Sequence, residues 1–374
     1  MKHFVPAFRS IDWILLWATI PIVGAGIVTM NAFTGANYFA LRQITWLVLS
    51  LLVFFVAARI DWRFAKRPRV LVFLYVLLNL VLVALFTVSR VKGAQSWFRL
   101  GSVAVEPAEF IKLLLIVMLA KYFHRRHIEI ANIRHVIISG LYAFIPFILI
   151  LAQPDFGAAM IIGLIWFGMS LVSGISKKHF FGLLGAGMLA FLVLWLFVFK
   201  PYQKNRILNF VEPLRDIRGT GYNAYQSQIA VGSGQVFGKG VGFGTQSRLK
   251  FLPEYQTDFI FAAFAEEWGF VGVMLLLLCY GIVVWRIVAN AYVAGTNFET
   301  LFCVGYGVFI IAHFTINVGM NIGLLPVTGI TLPFMSYGGT HLITEYLGLG
   351  MIMSMRRYAR ATHRDNMKNE FLGI

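Results

Sequence analysis

The stretch FLPEYQTDFIFAAFAEEWGF, residues 251–270, places three acids within strongly apolar sequence. Asp258 directly precedes Phe-Ile-Phe, and Glu266 and Glu267 interrupt the beginning of an apolar run. Because a charge beside apolar surroundings is costly, each acid needs either a buried partner or a function. The remainder of the chain indicates which class of protein carries this stretch.

The composition predicts an integral membrane protein. The chain has 374 residues, 59% hydrophobic and only 13% charged, whereas soluble domains carry about 25% charged residues. The apolar run from Ile11 to about Met30 is typical of a first membrane helix, since no small-residue cleavage site with polar sequence follows it. Cys279 and Cys303 both lie in apolar runs, which excludes a disulfide framework and a cysteine-based metal site.

Windows of about 20 apolar residues predict an all-α, polytopic fold that forms a single membrane-embedded domain over residues 1–374. The ten predicted spans are 11–31, 39–59, 70–89, 108–122, 136–152, 156–174, 179–199, 268–288, 300–322 and 333–354. The fourth is the weakest, because it is short and contains Glu109 and Lys112.

Lys and Arg in the short loops predict the orientation. With ten spans, the basic segments 59–69, 121–127, 176–179 and 355–364 fall on one side, so both termini are expected in the cytoplasm. This bias accounts for the net charge of +16, and no nucleic acid partner is expected. The basic segment 89–107, which contains Arg99, departs from the rule because it falls outside. Either the topology differs there, or these cations have a function on the outer side.

One large outer loop, about residues 200–257, joins spans seven and eight, and its Ile, Val and Phe content favours ordered structure. Its glycine-rich part does not match a nucleotide-binding phosphate loop, because Gly240 follows Gly238-Lys239 where Ser or Thr is required. Two interpretations remain: a tightly turned loop packed on the helices, or backbone N–H groups with Lys239, Arg248 and Lys250 near an anionic ligand.

Asp258 is the candidate catalytic acid. On a helix it would share one face with Ala262 and Glu266, at the outer boundary where loop meets membrane. Apolar neighbours would disfavour the charged carboxylate and prepare it to accept a proton. The alternative is an interfacial acid that is solvated or paired with Lys250. Glu266 and Glu267 are expected to pair with buried cations or to cap a short helix.

Further candidates lie near the same side. Glu109 suits a helix N-terminus that begins at Pro107, whereas Lys112 points into lipid depth and needs a partner, for which Glu109 is the obvious choice. Asp155 lies in a short outer turn, where simple turn chemistry is an alternative. Arg42, at the start of span two, is expected to face the same outer vestibule. No second ligand at helical spacing accompanies His313, so no metal site is predicted there.

Several long motifs resemble the SEDS family (shape, elongation, division and sporulation). They are YQSQIAVGSGQVFGKG (225–240), GTQSRLKFLPEYQTDFIFAAFAEEWG (244–269), PAEFIK (107–112), QPDFGA (153–158), LPVTGITLPFMSYGG (325–339) and DWILL (12–16). The resemblance covers nearly the whole chain. The sequence GTQS before FLPE favours the rod-elongation branch over the division branch.

The resemblance implies a peptidoglycan glycosyltransferase in the bacterial plasma (inner) membrane. It would polymerise lipid II on the outer face beside a class B penicillin-binding protein, a transpeptidase. The family's essential acid corresponds to Asp258, and the acid and lysine of its fourth span correspond to Glu109 and Lys112. The pyrophosphate leaving group makes Lys112, Arg99, Arg248 and Lys250 candidate ligands. A divalent cation, Mg²⁺ or Mn²⁺, held by Asp258 is an alternative; no organic cofactor is expected.

The chain departs from the family pattern at Ala108 and Thr340, where Ser is common, and at Gln235, where Gly is common. None of these changes removes an ionisable group, so activity is expected to survive. Two other classes remain open: a lipid II flippase, which suits ten spans with Pro and Gly breaks, and a non-catalytic scaffold for the penicillin-binding protein. A flippase should distribute polar groups to both faces, whereas Glu109, Lys112, Asp155, Asp258 and Asn321 cluster toward the outer side.

Overall fold

The computed structural model describes residues 11–31, 38–88, 95–101, 103–124, 132–212, 216, 219, 221–249 and 251–372. The helices are α1 (Trp13–Asn31), α2 (Tyr38–Ala57), α3 (Pro68–Ala84), α4 (Pro107–His124), α5 (Ile133–Ala152), α6 (Phe156–Val172), α7 (Lys177–Val193), α8 (Pro201–Val211), α9 (Tyr222–Ser233), α10 (Thr245–Arg248), α11 (Ile260–Tyr292), α12 (Asn297–Asn321) and α13 (Gly339–Leu372). The fold is therefore mainly helical, as predicted.

Within the described ranges, seven helices are long and apolar enough to cross a membrane: α1, α2, α3 with the short 3₁₀ turn after it, α5, α7 with the turn that follows it, α11 and α12. Helix α6 is apolar but shorter. Helices α4 and α13 correspond to the fourth and tenth predicted spans. The chain is thus a polytopic helical membrane protein, and the count of ten spans stays a prediction.

Helix α4 lies at the centre of the bundle. It contacts α3, α6 and α12, and nearly all of its residues from Pro107 to Ala120 are buried. Protein rather than lipid surrounds this helix, and its two charged residues, Glu109 and Lys112, are buried inside the bundle. This position explains how the weakest predicted span can contain charged residues. In contrast, α7 lies at the periphery and none of its described residues is buried.

The segments that the sequence places outside lie at one end of the bundle, which we call the outer end. Strands β1 (Phe98–Leu100) and β2 (Val103–Val105) form an antiparallel hairpin there, a small exception to the all-α prediction. The described part of the large loop is folded and contains α8, α9 and α10. Helix α9 packs against α11 and α12.

Helix α11 begins before the predicted span and bends at Gly269, whose φ of 63° and ψ of −167° suit only glycine. A Cβ there would lie 2.2 Å from the Gly238 nitrogen. Beyond the bend, Phe270 donates its backbone N–H to Gln235 at 2.8 Å. The predicted shared face of Asp258 and Glu266 is wrong, because Asp258 lies in a turn before the helix begins at Ile260.

The segment between α12 and α13, residues 322–338, is a run of turns and extended backbone. The tenth predicted span therefore begins too early, because residues 333–338 precede α13. Pro326 and Pro333 interrupt helical hydrogen bonding. Irregular backbone at this depth is tolerated where protein buries it or where it borders a cavity, and this segment meets the first condition at Leu332 and Phe334.

Candidate active site

Asp258 lies in the turn that leads into α11 and is half-buried. Residues of α12 hold its backbone. The Asp258 carbonyl accepts hydrogen bonds from the side-chain amides of Asn317 at 2.9 Å and Asn321 at 3.0 Å. The Asn321 side-chain oxygen accepts from the Ala262 N–H at 3.2 Å and from the Ser227 hydroxyl at 3.2 Å. Two asparagines one turn apart on α12 thus fix the backbone from which the Asp258 carboxylate projects.

The irregular segment also borders Asp258. Asn317 donates from the same amide nitrogen to the Ile330 carbonyl at 2.7 Å. A Cβ on Gly329 would lie 3.4 Å from the Asp258 carboxylate oxygen Oδ2. Gly329 has a φ of +76°, which any residue with a side chain rarely adopts. Glycine therefore permits the backbone of this segment to approach the carboxylate.

Two more hydrogen bonds join the irregular segment to the turn that carries Asp258. The Ser336 hydroxyl donates to the Thr257 carbonyl at 2.6 Å. The Tyr337 N–H donates to the Gln256 carbonyl at 2.8 Å. The position of the Asp258 backbone therefore depends on residues 330–337 as well as on α12.

A cavity opens beside this segment at the outer end, between α8, the α5–α6 turn and residues 326–328. Its lining residues are Pro154, Phe156, Phe199, Gln203, Arg206, Ile207, Pro326, Val327 and Thr328. Thr328 directly precedes Gly329, the residue next to Asp258. Arg206 contributes the cation of this cavity. Sequence reasoning missed Arg206, because its part of the predicted outer loop, which forms α8, has no recognisable motif.

A second group of charged side chains is buried at the junction of α4, α12 and α13. Lys112 donates to Glu109 at 2.6 Å, which confirms the predicted pair. The Lys112 ammonium also lies 3.2 Å from His313 Nε2. The two ring nitrogens of His341, Nδ1 and Nε2, each lie 2.9 Å from a carboxylate oxygen, of Glu109 and Glu345 respectively. The sequence analysis missed His341 and Glu345.

The sequence analysis predicted no metal site at His313, but this buried charge cluster supplies further possible ligands beside that histidine. Ligand atoms of Glu109, His313 and His341 lie within 4.8 Å of one another, because α13 brings His341 to a histidine that is remote in sequence. The Lys112 ammonium contacts two of these three groups, Glu109 and His313. It therefore supplies positive charge at the position that a metal ion would occupy. A divalent cation at Asp258 stays a separate prediction.

The predicted phosphate ligand Lys112 is only 1% exposed and fully engaged in this cluster. Glu109 is buried with it. Just before α4, burial together with the nearby carboxylates of Glu109 and Asp155 raises the pKa of Glu106 to about 8. Several acids therefore lie close together at the beginning of α4, and Lys112 offsets part of their negative charge.

Asp155 caps α6, accepting from the Ala158 N–H at 3.0 Å and from the Ser96 hydroxyl at 3.0 Å. These contacts fit the turn-chemistry alternative. The other predicted residues of the outer end are dispersed: the Arg42 guanidinium lies over the Tyr38 ring, and Arg99 is exposed on the hairpin.

Glu266 and Glu267, near the C-terminal end of residues 251–270, have structural partners. Glu266, fully buried, accepts from Lys239 at 2.7 Å, from the Thr245 hydroxyl at 3.0 Å and from the Gln246 N–H at 3.1 Å. It therefore pairs with a cation and caps the short helix α10, as predicted.

Glu267 accepts from the Gly242 N–H at 2.6 Å. Lys239 therefore pairs with Glu266, and the glycine-rich loop packs on α11. This arrangement agrees with a tightly turned loop packed on the helices, the first of the two interpretations. Arg248 is exposed in α10, and Lys250 lies outside the described residues.

These features define a class: a polytopic helical membrane protein with a half-buried acid on an anchored backbone at one end of its bundle, next to an irregular segment that borders a cavity. The sequence model of the cell cycle protein family FTSW_RODA_SPOVE matches residues 9–361. The chain belongs to this family.

Three relatives illustrate the similarity. The chain is 34% identical over 360 residues to a Haemophilus influenzae protein named probable peptidoglycan glycosyltransferase FtsW, covering 92% of this chain and 89% of the relative. It is 36% identical over 332 residues to peptidoglycan glycosyltransferase MrdB of Escherichia coli K12, covering 86% and 85%. A solved structure concerning polymerization and crosslinking by a peptidoglycan synthase complex aligns with a TM-score of 0.80 and 31% identity, covering 93% and 98%. Relatives named FtsW and MrdB thus match at similar identity.

Proposed function

We propose that this chain is a peptidoglycan glycosyltransferase that polymerises lipid II at the outer face of the bacterial plasma membrane. The observation that carries the proposal is the placement of Asp258: an anchored backbone, a half-buried carboxylate and an adjacent cavity at the outer end. The names of the curated relatives support the reaction class. A substrate with a lipid tail and a polar head would straddle the boundary where Asp258 lies.

Asp258 is proposed to act as the general base. The acceptor is the 4-hydroxyl of an N-acetylglucosamine, and its proton passes to the Asp258 carboxylate as the oxygen attacks the anomeric carbon of the donor. The new bond joins that oxygen to the anomeric carbon, while the bond from this carbon to the pyrophosphate oxygen breaks. An α-linked donor thereby gives a β-linked product, so the reaction inverts configuration.

The leaving pyrophosphate needs positive charge that acts as the bond breaks. Arg206 suits this role better than Lys112, because it lines the cavity whereas Lys112 is buried and paired. Arg99 and Arg248, both exposed, are weaker candidates. A Mg²⁺ or Mn²⁺ ion would fit Asp258, since one carboxylate and substrate phosphates are typical ligands; it would supply Lewis acidity to the leaving group.

The biological role proposed is cell elongation with a class B penicillin-binding protein that crosslinks the strands. The GTQS sequence before FLPE favours elongation over division. The structural relative that concerns both polymerization and crosslinking supports a transpeptidase partner.

The test is glycan polymerisation from purified lipid II in detergent, with penicillin present to suppress crosslinking. Wild type, Asp258→Asn and Glu254→Gln would be compared, each with and without the penicillin-binding protein and with Mg²⁺, Mn²⁺ or chelator. Glu254→Gln is the matched control, because it makes the same charge change in the same turn. The partner's own glycosyltransferase activity would be measured separately.

We expect long glycan from wild type and Glu254→Gln and none from folded Asp258→Asn. Retained polymerisation by Asp258→Asn would eliminate the base and metal-ligand roles together. Chelator-resistant activity would assign Asp258 as base rather than metal ligand. If wild type makes no glycan under any condition, lipid II movement across vesicle membranes would be measured next, to distinguish a flippase from a scaffold.

A further inference from the structure

The contacts in the buried charge cluster assign the protonation state of each of its members. Lys112 can only donate, so His313 Nε2, 3.2 Å away, accepts and its other nitrogen carries the proton toward the Thr331 carbonyl at 3.3 Å. His341 Nδ1 forms a hydrogen bond with a Glu109 carboxylate oxygen at 2.9 Å, and Nε2 lies 2.9 Å from a Glu345 carboxylate oxygen as an ion pair. Carboxylates only accept, so His341 is assigned as an imidazolium. Two cations, Lys112 and His341, then balance Glu109 and Glu345.

Glu345 connects this cluster to the irregular segment. Its two carboxylate oxygens accept from the Phe334 N–H at 3.1 and 3.0 Å. Phe334 has a φ of +61°, the left-handed region that residues with side chains rarely adopt. Strained backbone of this kind persists only where its surroundings hold it. Glu345, fully buried beneath it, is one such support, and the Tyr280 hydroxyl bonded to Pro333 is another.

The same segment holds the turn of the candidate catalytic acid. Two and three residues after Phe334, Ser336 and Tyr337 donate to the carbonyls of Thr257 and Gln256. A continuous set of contacts therefore runs from His341 through Glu345 and Phe334 to the residues that precede Asp258.

We infer that His341 and Glu345 are positioning residues for Asp258, which rests on the proposed function. The imidazolium keeps Glu345 charged in an interior that would otherwise disfavour the anion. The carboxylate in turn holds Phe334 in its strained conformation. Without the imidazolium, Glu109 and Glu345 share one remaining cation, Lys112. The hydrogen bond to Phe334 then weakens, and the turn at residues 256–258 loses its fixed position.

The test compares the steady-state kinetics of His341→Gln, Glu345→Gln and the double variant with those of wild type. His341→Gln removes the cation alone, whereas the double variant restores charge balance and keeps an amide oxygen that can accept from Phe334. We expect His341→Gln to lower kcat about tenfold with KM for lipid II little changed, since a displacement of 1 Å can cost about 10²-fold. The double variant should recover most of that loss.

A matched control is His135→Gln. His135 is also buried and bonded, to the Tyr122 hydroxyl at 2.9 Å, but it lies near the beginning of α5, away from the outer end. Its kcat should stay within about twofold of wild type, because it has no contact in the cluster. Thermal stability and folded yield would be measured for every variant, so that kcat is expressed per folded molecule.

Hydrogen–deuterium exchange separates this inference from the proposed function. His341→Gln should accelerate exchange in peptides that cover residues 254–259 and 332–338, but not in α1 or α3. Two results would overturn the inference: unchanged kcat per folded molecule and unchanged exchange, or a double variant no better than the single. If wild type makes no glycan, the proposed function fails, and exchange alone decides whether His341 fixes this turn.

Discussion

The two ends of residues 251–270 use acids in opposite ways. Glu266 is fully buried and its carboxylate accepts from Lys239, Thr245 and Gln246. At Asp258, the side-chain amides of Asn317 and Asn321 hold the backbone carbonyl, and the residue is half-buried. A carboxylate enclosed by donors holds a loop in place, whereas one on a fixed backbone beside a cavity can meet a substrate. This difference answers why three acids occur within 20 residues.

The largest expected effect is on activity at Asp258. Asp258→Asn should lower polymerisation by at least about 10²-fold, because general-base catalysis contributes about 10²- to 10⁴-fold. Folding should be retained, since the backbone contacts to Asn317 and Asn321 do not involve the side chain. Glycan product measured per folded protein, with size-exclusion profiles as the check on folding, tests both statements.

Glu266→Ala should show the opposite behaviour. It removes a buried carboxylate and leaves Lys239 and the α10 backbone without their acceptor, so we expect a loss of about 3 kcal/mol in the free energy of unfolding. Lys239 is 29% exposed, and its access to water keeps the loss at the lower end of the range for buried pairs. Thermal unfolding in detergent measures it; an unchanged midpoint would contradict a structural role.

Gly269→Ala tests the bend that sets the loop on α11. Its backbone angles suit only glycine, and a Cβ would lie 2.2 Å from the Gly238 nitrogen. We expect destabilisation of about 1–3 kcal/mol from backbone strain. Gly281→Ala, also in α11, is the control, because nothing lies within 4 Å of a Cβ there. Equal thermal midpoints for the two variants would contradict the account of the bend.

A pH dependence of the free energy of unfolding is expected from Glu106. Burial raises the pKa of Glu106 to about 8 in the folded protein, above the usual value of about 4.3. The folded state therefore binds this proton more tightly, and the stabilisation present below about pH 4 is lost as the pH rises through about 8. Glu106→Gln should flatten the thermal midpoint between pH 5 and 9; an unchanged pH profile would contradict this assignment.

The sequence predicts the helical class, the Glu109–Lys112 pair and a structural role for Glu266, because these depend on local spacing and on the cost of unpaired charge. It does not predict the environment of Asp258, which residues far apart in the sequence supply.

The features that were missed share one physical cause. His341 meets Glu109 only through the packing of α13 against α4, and Glu345 joins the cluster through His341. Arg206 becomes significant only once α8 borders a cavity. The incorrect shared face of Asp258 and Glu266 arose because the pattern did not reveal that Phe259 ends a turn before the helix begins. Contacts between distant segments leave no periodic signal in the chain.

We expect Asp258 to act in the reaction and Glu266 to stabilise the fold. The most direct measurement is glycan polymerisation per folded molecule for Asp258→Asn and Glu266→Gln, assayed side by side with their thermal midpoints. We expect a stable, inactive Asp258→Asn and a less stable Glu266→Gln that polymerises lipid II normally while folded. An active Asp258→Asn, or a stable but inactive Glu266→Gln, would contradict it.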